Sequence, residues 1–155
     1  MKITFCGHAE ILERNEIAEK ISHTFKTEIS DERLEFYLGA YGEFDHIALK
    51  ACVTYKSLHP LSKIYFITPY PEDKYLKSRN LNGKIFDGII YPPIETVPKK
   101  YAIIERNKWM VNQADLVIAY VNHSWGGAAK TFDYAFKAKK RYVNLGTYDP
   151  KNYFI

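Results

Sequence analysis

Cysteine is nearly absent from this chain. Only Cys6 and Cys52 occur in 155 residues, with no C-x-x-C pair and no metal-type spacing. A disulfide framework and a cysteine-held metal are therefore not expected, and a reducing cytoplasm is the expected compartment. No apolar run is long enough to span a bilayer, so no membrane partner is expected. Residues 1–3 lead straight into a strand pattern and not into a signal sequence. The dinucleotide spacing G-x-G-x-x-G does not occur. No internal repeat, low-complexity tract or linker interrupts the chain.

What is present fits one domain over residues 1–155, a length that can bury a single sizeable core. The composition is that of a globular protein, 46% hydrophobic and 26% charged, with 13 Tyr and 9 Phe. A formal net charge of +4 helps attract an anionic ligand. It is a weak argument for nucleic acid, which is not the expected partner.

Strand-type and helix-type stretches alternate. Residues 2–6 (KITFC), 34–38 (LEFYL), 64–68 (IYFIT), 85–91, 115–121 (DLVIAYV) and 141–145 (RYVNL) read as strands. Pro69 and Pro71 close the third, and Pro92-Pro93 break the fourth. Apolar residues at helical spacing mark helices over residues 14–26, from Phe44 to Tyr55, from Pro98 to Ala114, and from Ala128 to Phe136. On the third of these, Ile103, Ile104, Asn107, Met110, Val111 and Ala114 form the expected stripe. Residues 72–83 read as a polar segment with a helical turn at most, and residues from Tyr148 onward as a tail. Such alternation predicts an α/β fold: a Rossmann-like three-layer sandwich with a mainly parallel sheet and helices on both faces.

In such sheets a ligand lies off the carboxyl ends of the strands, where the strand order switches. Three turns belong to that edge: Cys6-Gly7-His8, residues 39–45 (GAYGEFD), and residues 122–127 (NHSWGG). The last is the most informative. A buried strand stops at a polar, glycine-bearing turn and feeds a helix, whose first N–H groups lack intrahelical partners. The helix dipole favours an anion there, and Gly126 and Gly127 leave room for a phosphate. The alternative is a short turn whose glycines serve chain geometry only.

Other candidates each carry two readings. Asp45 either meets a ribose hydroxyl or attacks an anomeric carbon, or else complements its own helix. Arg106 either forks onto a phosphate or forms a surface ion pair. Asn107, on the apolar stripe, needs hydrogen-bond partners and clamps a neighbouring loop. Glu105 is a candidate general acid or base, or is simply solvated. His8 and His123 can polarise a ligand or move a proton, or only hydrogen-bond locally. Trp125, Tyr41, Phe44 and Tyr91 are candidate stacking surfaces. Lys137, Lys139, Lys140 and Arg141 read as a solvated helix end.

With those residues in view, ITFCGH, FYLGAYGEFD and ERNKWMVNQADLVIAYVNHSWGGAAKTFDYA together resemble the SLOG superfamily. The similarity is nearest to a short, single-domain bacterial branch, mostly Gram-positive, and spans residues 3–146. It implies a Rossmann-like fold that binds nucleotides or their derivatives. Relatives include phosphoribohydrolases, nucleotide-signal sensors and, more distantly, nucleoside deoxyribosyltransferases. Carried over, Gly126 and Gly127 would be the phosphate-binding glycines, Gly39 and Gly42 the earlier glycine turn, and Arg106 the arginine before the central strand. Relatives often pair, which keeps a homo-oligomer open.

One departure stands out. The hydrolases carry P-G-G-x-G-T-x-x-E, whereas residues 124–134 read SWGGAAKTFDY. The proline and third glycine are missing, and Tyr134 stands where the glutamate would be in step with Thr131. Asp133 is one position off, about 100° around a helix. Hence the expectation is binding of a nucleotide-like ligand, as sensor or carrier, with no cofactor and no metal. Its ligand contacts are expected at Gly7, His8, Gly39, Tyr41, Gly42, Asp45, Arg106, Asn122, His123, Ser124, Gly126 and Gly127. An N-glycoside hydrolase or transferase using Asp45 or Glu105 is the alternative, and a nucleic-acid module the third.

Overall fold

Strand β1 (Lys2–Gly7) lies near the middle of the sheet, and its inner four residues are buried. Its side chains alternate between two cores. Ile3 and Phe5 join the cluster beneath helices α1 (Arg14–Glu28) and α2 (Glu43–Leu58), with Ile17, Ile21, Phe25, Phe44 and Ile47. Cys6 points to the opposite face, under α4 (Ala102–Gln113) and α5 (Gly127–Lys137), with Val111, Phe132 and Ala135. Each fully buried Ile or Phe of this kind contributes about 1.5–3 kcal/mol.

The remaining strands are β2 (Glu35–Leu38), β3 (Lys63–Ile67), β4 (Gly88–Ile90), β5 (Leu116–Tyr120) and β6 (Tyr142–Asn144). The sheet order is β4-β3-β2-β1-β5-β6, and every pairing is parallel. All five residues of β5 are buried, as a strand covered on both faces requires. The chain therefore steps outward from β1 to β4, then returns to the other flank of β1 as β5. The β1–β5 seam is the topological switch point. Gly7 pairs with Tyr120 at its carboxyl end. The structure, a computed structural model, describes residues 1–30, 33–79, 81 and 85–154.

Several sequence expectations shift. The segment after β3 contains a helix, α3 (Asp73–Ser78); residues 80, 82 and 83 of the expected segment lie outside the described residues. Pro98 precedes a 3₁₀ turn (Lys99–Tyr101) that leads into α4. The stripe expected on α4 holds at Met110, Val111 and Ala114, which are buried, but Ile104 is exposed, and Ala102 and Arg106 are the further inward positions. The tail is not loose at its start. Tyr148 is buried and donates to Asp133 at 2.7 Å, and a 3₁₀ turn (Pro150–Asn152) follows. The Lys140 ammonium donates to the carbonyls of Asn112 and Ala114 at the end of α4, at 2.9 and 3.1 Å. Among the described residues no helix is long and apolar enough to cross a membrane.

Candidate functional site

A cavity of about 370 Å³ opens over the switch point. It is lined by the end of β1 (Phe5 to Gly7), His8 and Ala9, by Tyr41 and Asp45 from the start of α2, and by Ile103, Arg106, Asn107 and Met110 from α4. His123, Trp125, Gly126, Gly127, Ala128 and Thr131 complete it from the β5–α5 side. A larger groove of about 550 Å³ runs between the outer faces of α1 and α2, past Ser22, Phe25, Ala51 and Tyr55. It lies away from the strand ends and gathers neither a helix start nor a buried charge. The smaller cavity is the one with chemistry.

Its open wall is the start of α5. Gly126 sits at φ 93° and ψ 172°, a region that essentially only glycine occupies. A Cβ on Gly126 or Gly127 would meet nothing within 4 Å, so the backbone there faces open space. The first turn of α5 carries no acidic residue, and no side chain caps it. Its free N–H groups and positive dipole end are thus offered to the cavity.

Three rings stack beside this turn. His8 lies on His123 with centroids 4.1 Å apart, and His123 lies on Trp125 at 3.9 Å. The His8 Nε2 accepts the Asn122 N–H at 2.8 Å, which ties β1 to the turn after β5. A ring nitrogen that accepts must be unprotonated, so His8 is neutral in this arrangement. Burial, and then the neighbouring His123, lower its pKa in the same direction. The His123 Nδ1 is 2.9 Å from the Trp125 carbonyl.

The floor is polar and buried. Arg106 is 1% exposed. Its Nη1 donates to the Ile67 carbonyl at 2.7 Å and, more weakly, to that of Gly39 at 3.4 Å. Its Nε donates to Asn107 Oδ1 at 2.8 Å. Burial lowers its pKa, and the nearby Asp45 carboxylate opposes that. Asn107 also reaches Thr131 at 3.4 Å, so it clamps side chains and not, as expected, a loop backbone. Asp45 accepts the Tyr41 N–H at 2.8 Å. Burial pushes its carboxyl up to about 6, against that hydrogen bond and the charges of Arg106 and Arg79, which hold it down. Cys6 is no candidate nucleophile: burial, with the charge of Asp45, pushes its thiol well above the ordinary range. Among the described residues no group of three His, Cys, Asp or Glu could hold a metal ion.

The candidates Asn107 and Trp125 line this one cavity, and the stacking candidates Phe44, which is buried, and Tyr91 do not. Of the expected ligand contacts and catalytic residues, Gly7, His8, Tyr41, Asp45, Arg106, His123, Gly126 and Gly127 line it. Five others do not. Glu105 turns to Lys108, 3.3 Å away on the same helix. Gly39 serves the arginine: a Cβ there would come within 2.9 Å of Arg106 Cζ. Gly42 starts α2, and a Cβ on it would strike the Ala9 backbone at 2.9 Å. Asn122 accepts the Thr147 N–H at 3.0 Å, and Ser124 is exposed outside the lining. Even Gly7 owes its missing side chain to packing, since a Cβ would lie 2.3 Å from Phe44 Cγ. The cavity also takes in Ile103, which was expected in the core, and Ala9, which carried no sequence signal.

Compared by sequence, the chain matches no family model and no curated protein at a significant level. By structure it is similar to DNA processing protein A (DprA) from Streptococcus pneumoniae, with TM-score 0.63 and 13% identity over 92% of this chain. The chain spans about half of that protein, 49%. It is also similar to DNA processing protein A from Helicobacter pylori, solved for its single-stranded DNA binding mode. There the TM-score is 0.60 and the identity 16%, over 98% of this chain and 70% of that one. A third likeness is to TM1055, with TM-score 0.56 and 11% identity, over 91% of this chain and 71% of that one. At these identities the likeness carries the fold alone, a Rossmann-like α/β domain.

Proposed function

We propose that this domain binds a phosphorylated, nucleotide-like ligand in the cavity at the switch point, as a sensor or carrier. The observation behind this reading is the start of α5: glycine-capped, free of acid, open to the cavity, and set beside a buried arginine. In it the phosphate sits on the N–H groups following Gly126, within the field of Arg106. The Asp45 carboxylate receives a sugar hydroxyl. The setting would be the cytoplasm, in keeping with two buried free cysteines.

The test is thermal unfolding with nucleoside monophosphates, the parent nucleosides and inorganic phosphate. Stabilisation by the monophosphates but not by the nucleosides is expected, reaching about 2.7 kcal/mol when ligand stands at about 100 times its dissociation constant. Equal stabilisation by nucleoside and monophosphate would remove the phosphate from the reading.

A second reading, cleavage of an N-glycosidic bond, is favoured by one observation. Asp45 is a cavity carboxyl held near 6, close to where a general acid works best. Against it, Asp133, the nearest acid to the hydrolase glutamate, is bonded to Tyr148 and lies outside the cavity. Chromatography of the same mixtures for free base decides: base released by the wild type and not by Asp45→Asn supports catalysis.

A further inference from the structure

We infer that the outer face of Trp125 is the platform on which the ligand's nucleobase stacks, beside the phosphate. This rests on the reading of α5 as the phosphate site. It adds where the base goes and what that implies for selectivity.

Trp125 is 68% exposed, although it closes a column of three rings. Its inner face is covered by His123, at an interplanar angle of 14°, so only the outer face can receive another ring. The column is held at both joints, by Asn122 N–H on His8 and by His123 against the Trp125 carbonyl. The indole is thus held in place before any ligand arrives, and little ordering remains to oppose stacking. It also immediately precedes Gly126, so a base on the indole and a phosphate on the helix start belong to neighbouring backbone units.

The other exposed apolar side chains lack this combination. Leu12, Leu58 and Leu61 are exposed but line neither that cavity nor a ring stack. Tyr41 is the nearest rival, 52% exposed and on the opposite rim. The Arg79 guanidinium already lies 5.2 Å from the centre of its ring. Tyr41 also leads into the acidic start of α2, where a neighbouring phosphate would be repelled.

Stacking uses a π-face that every base has, so the site should be tolerant of base identity. A base on an indole that is 68% exposed also leaves the end of the nucleotide away from the bound phosphate accessible. The same nucleoside phosphate could then be a free mononucleotide or part of a single strand.

The experiment uses the full chain in a Trp109→Phe background. Trp109 stacks on Tyr37 away from the cavity, and its removal leaves Trp125 as the sole tryptophan, which is excited at the red edge where tyrosine does not absorb. The probes are AMP, UMP, ribose 5-phosphate and a 5′-phosphorylated oligothymidylate. AMP and UMP should quench Trp125 with similar affinity, while ribose 5-phosphate binds without quenching. Trp125→Ala should weaken the nucleotides by about 5- to 150-fold, the loss of one stacked base, and leave ribose 5-phosphate unchanged. Trp125→Phe should recover part of the loss. The oligothymidylate binding more tightly than UMP would identify a strand as the source, and equal or weaker binding a free nucleotide; both keep the platform. Nucleotide affinity untouched by Trp125→Ala, with ribose 5-phosphate still bound, would overturn the platform alone. Binding of none of the probes would overturn it together with the phosphate site.

Discussion

Helices α2 and α5 both begin on a glycine held at nearly the same dihedral angles: φ 98°, ψ 174° at Gly42, and φ 93°, ψ 172° at Gly126. Both starts belong to the same rim of the sheet. From there they part. The first turn of α2 carries Glu43 and Asp45, which accept the N–H groups of Ile11 at 2.7 Å and Tyr41 at 2.8 Å. Phe44, between them, fills the space left by Gly7. The first turn of α5 has no acid, and its glycines face nothing. One helix start is occupied by the fold's own carboxylates, and the other is left for a guest. A glycine-capped helix start is therefore not yet an anion site; what decides is whether the chain has already supplied the negative charge.

That contrast can be broken first at the glycines themselves. Gly42→Ala should cost about 1–3 kcal/mol in backbone strain and about 1–3 kcal/mol more in overpacking against Ala9. Gly126→Ala has only the strain, about 1–3 kcal/mol. Chemical denaturation of the two variants checks the difference, and equal losses would mean that the space at Gly126 is not open.

The next test is pH. Asp45 binds its proton more tightly in the folded chain than unfolded, so its contribution to stability is full below the ordinary carboxylate pKa and is lost as pH rises through about 6. His8 has the opposite sign: its lowered pKa gives a contribution present above the ordinary histidine value and lost on acidification. The two partly cancel between those limits. Asp45→Asn should therefore unmask a loss of stability on going from pH 7 to pH 5, read by thermal melts. Over the same interval the ratio of phosphate affinities, Asp45→Asn to wild type, should fall several-fold towards one as the wild type loses the Asp45 charge, the phosphate's own ionisation being common to both. A ratio that does not change with pH would place the phosphate beyond the reach of Asp45.

The smallest effect sharpens the comparison most. Ala128→Asp gives α5 the acid that α2 already has. Without ligand it should stabilise the chain by about 0.3–1 kcal/mol through the helix dipole, and it should abolish phosphate binding. Calorimetric melts and titration with inorganic phosphate check both halves.

The layered fold was legible from period alone. Strands apolar on both faces, such as residues 115–121, alternate with amphipathic helices, and that order leaves little choice but a parallel sheet. The site was legible in part. Gly126 and Gly127 look no different in sequence from Gly7, Gly39 and Gly42. Yet the first two clear space for solvent, while the others clear it for Phe44, Arg106 and Ala9. A glycine records that something comes close, not whether that thing is a ligand or a ring. One inward position of α4 carries no apolar signal, for a related reason. An apolar stripe skips a charged residue, and Arg106 is the residue that turns inward, because backbone carbonyls of β3 and of the turn after β2 await it.

Arg106 has one more consequence, for the order of assembly. Its guanidinium meets the Gly39 and Ile67 carbonyls across sequence separations of 67 and 39. Loops of that span close late, after local helices and neighbouring strands have condensed. The cavity floor should thus form after the local helices and other short-range contacts. Loss of the Arg106 side chain should then speed unfolding far more than it slows refolding.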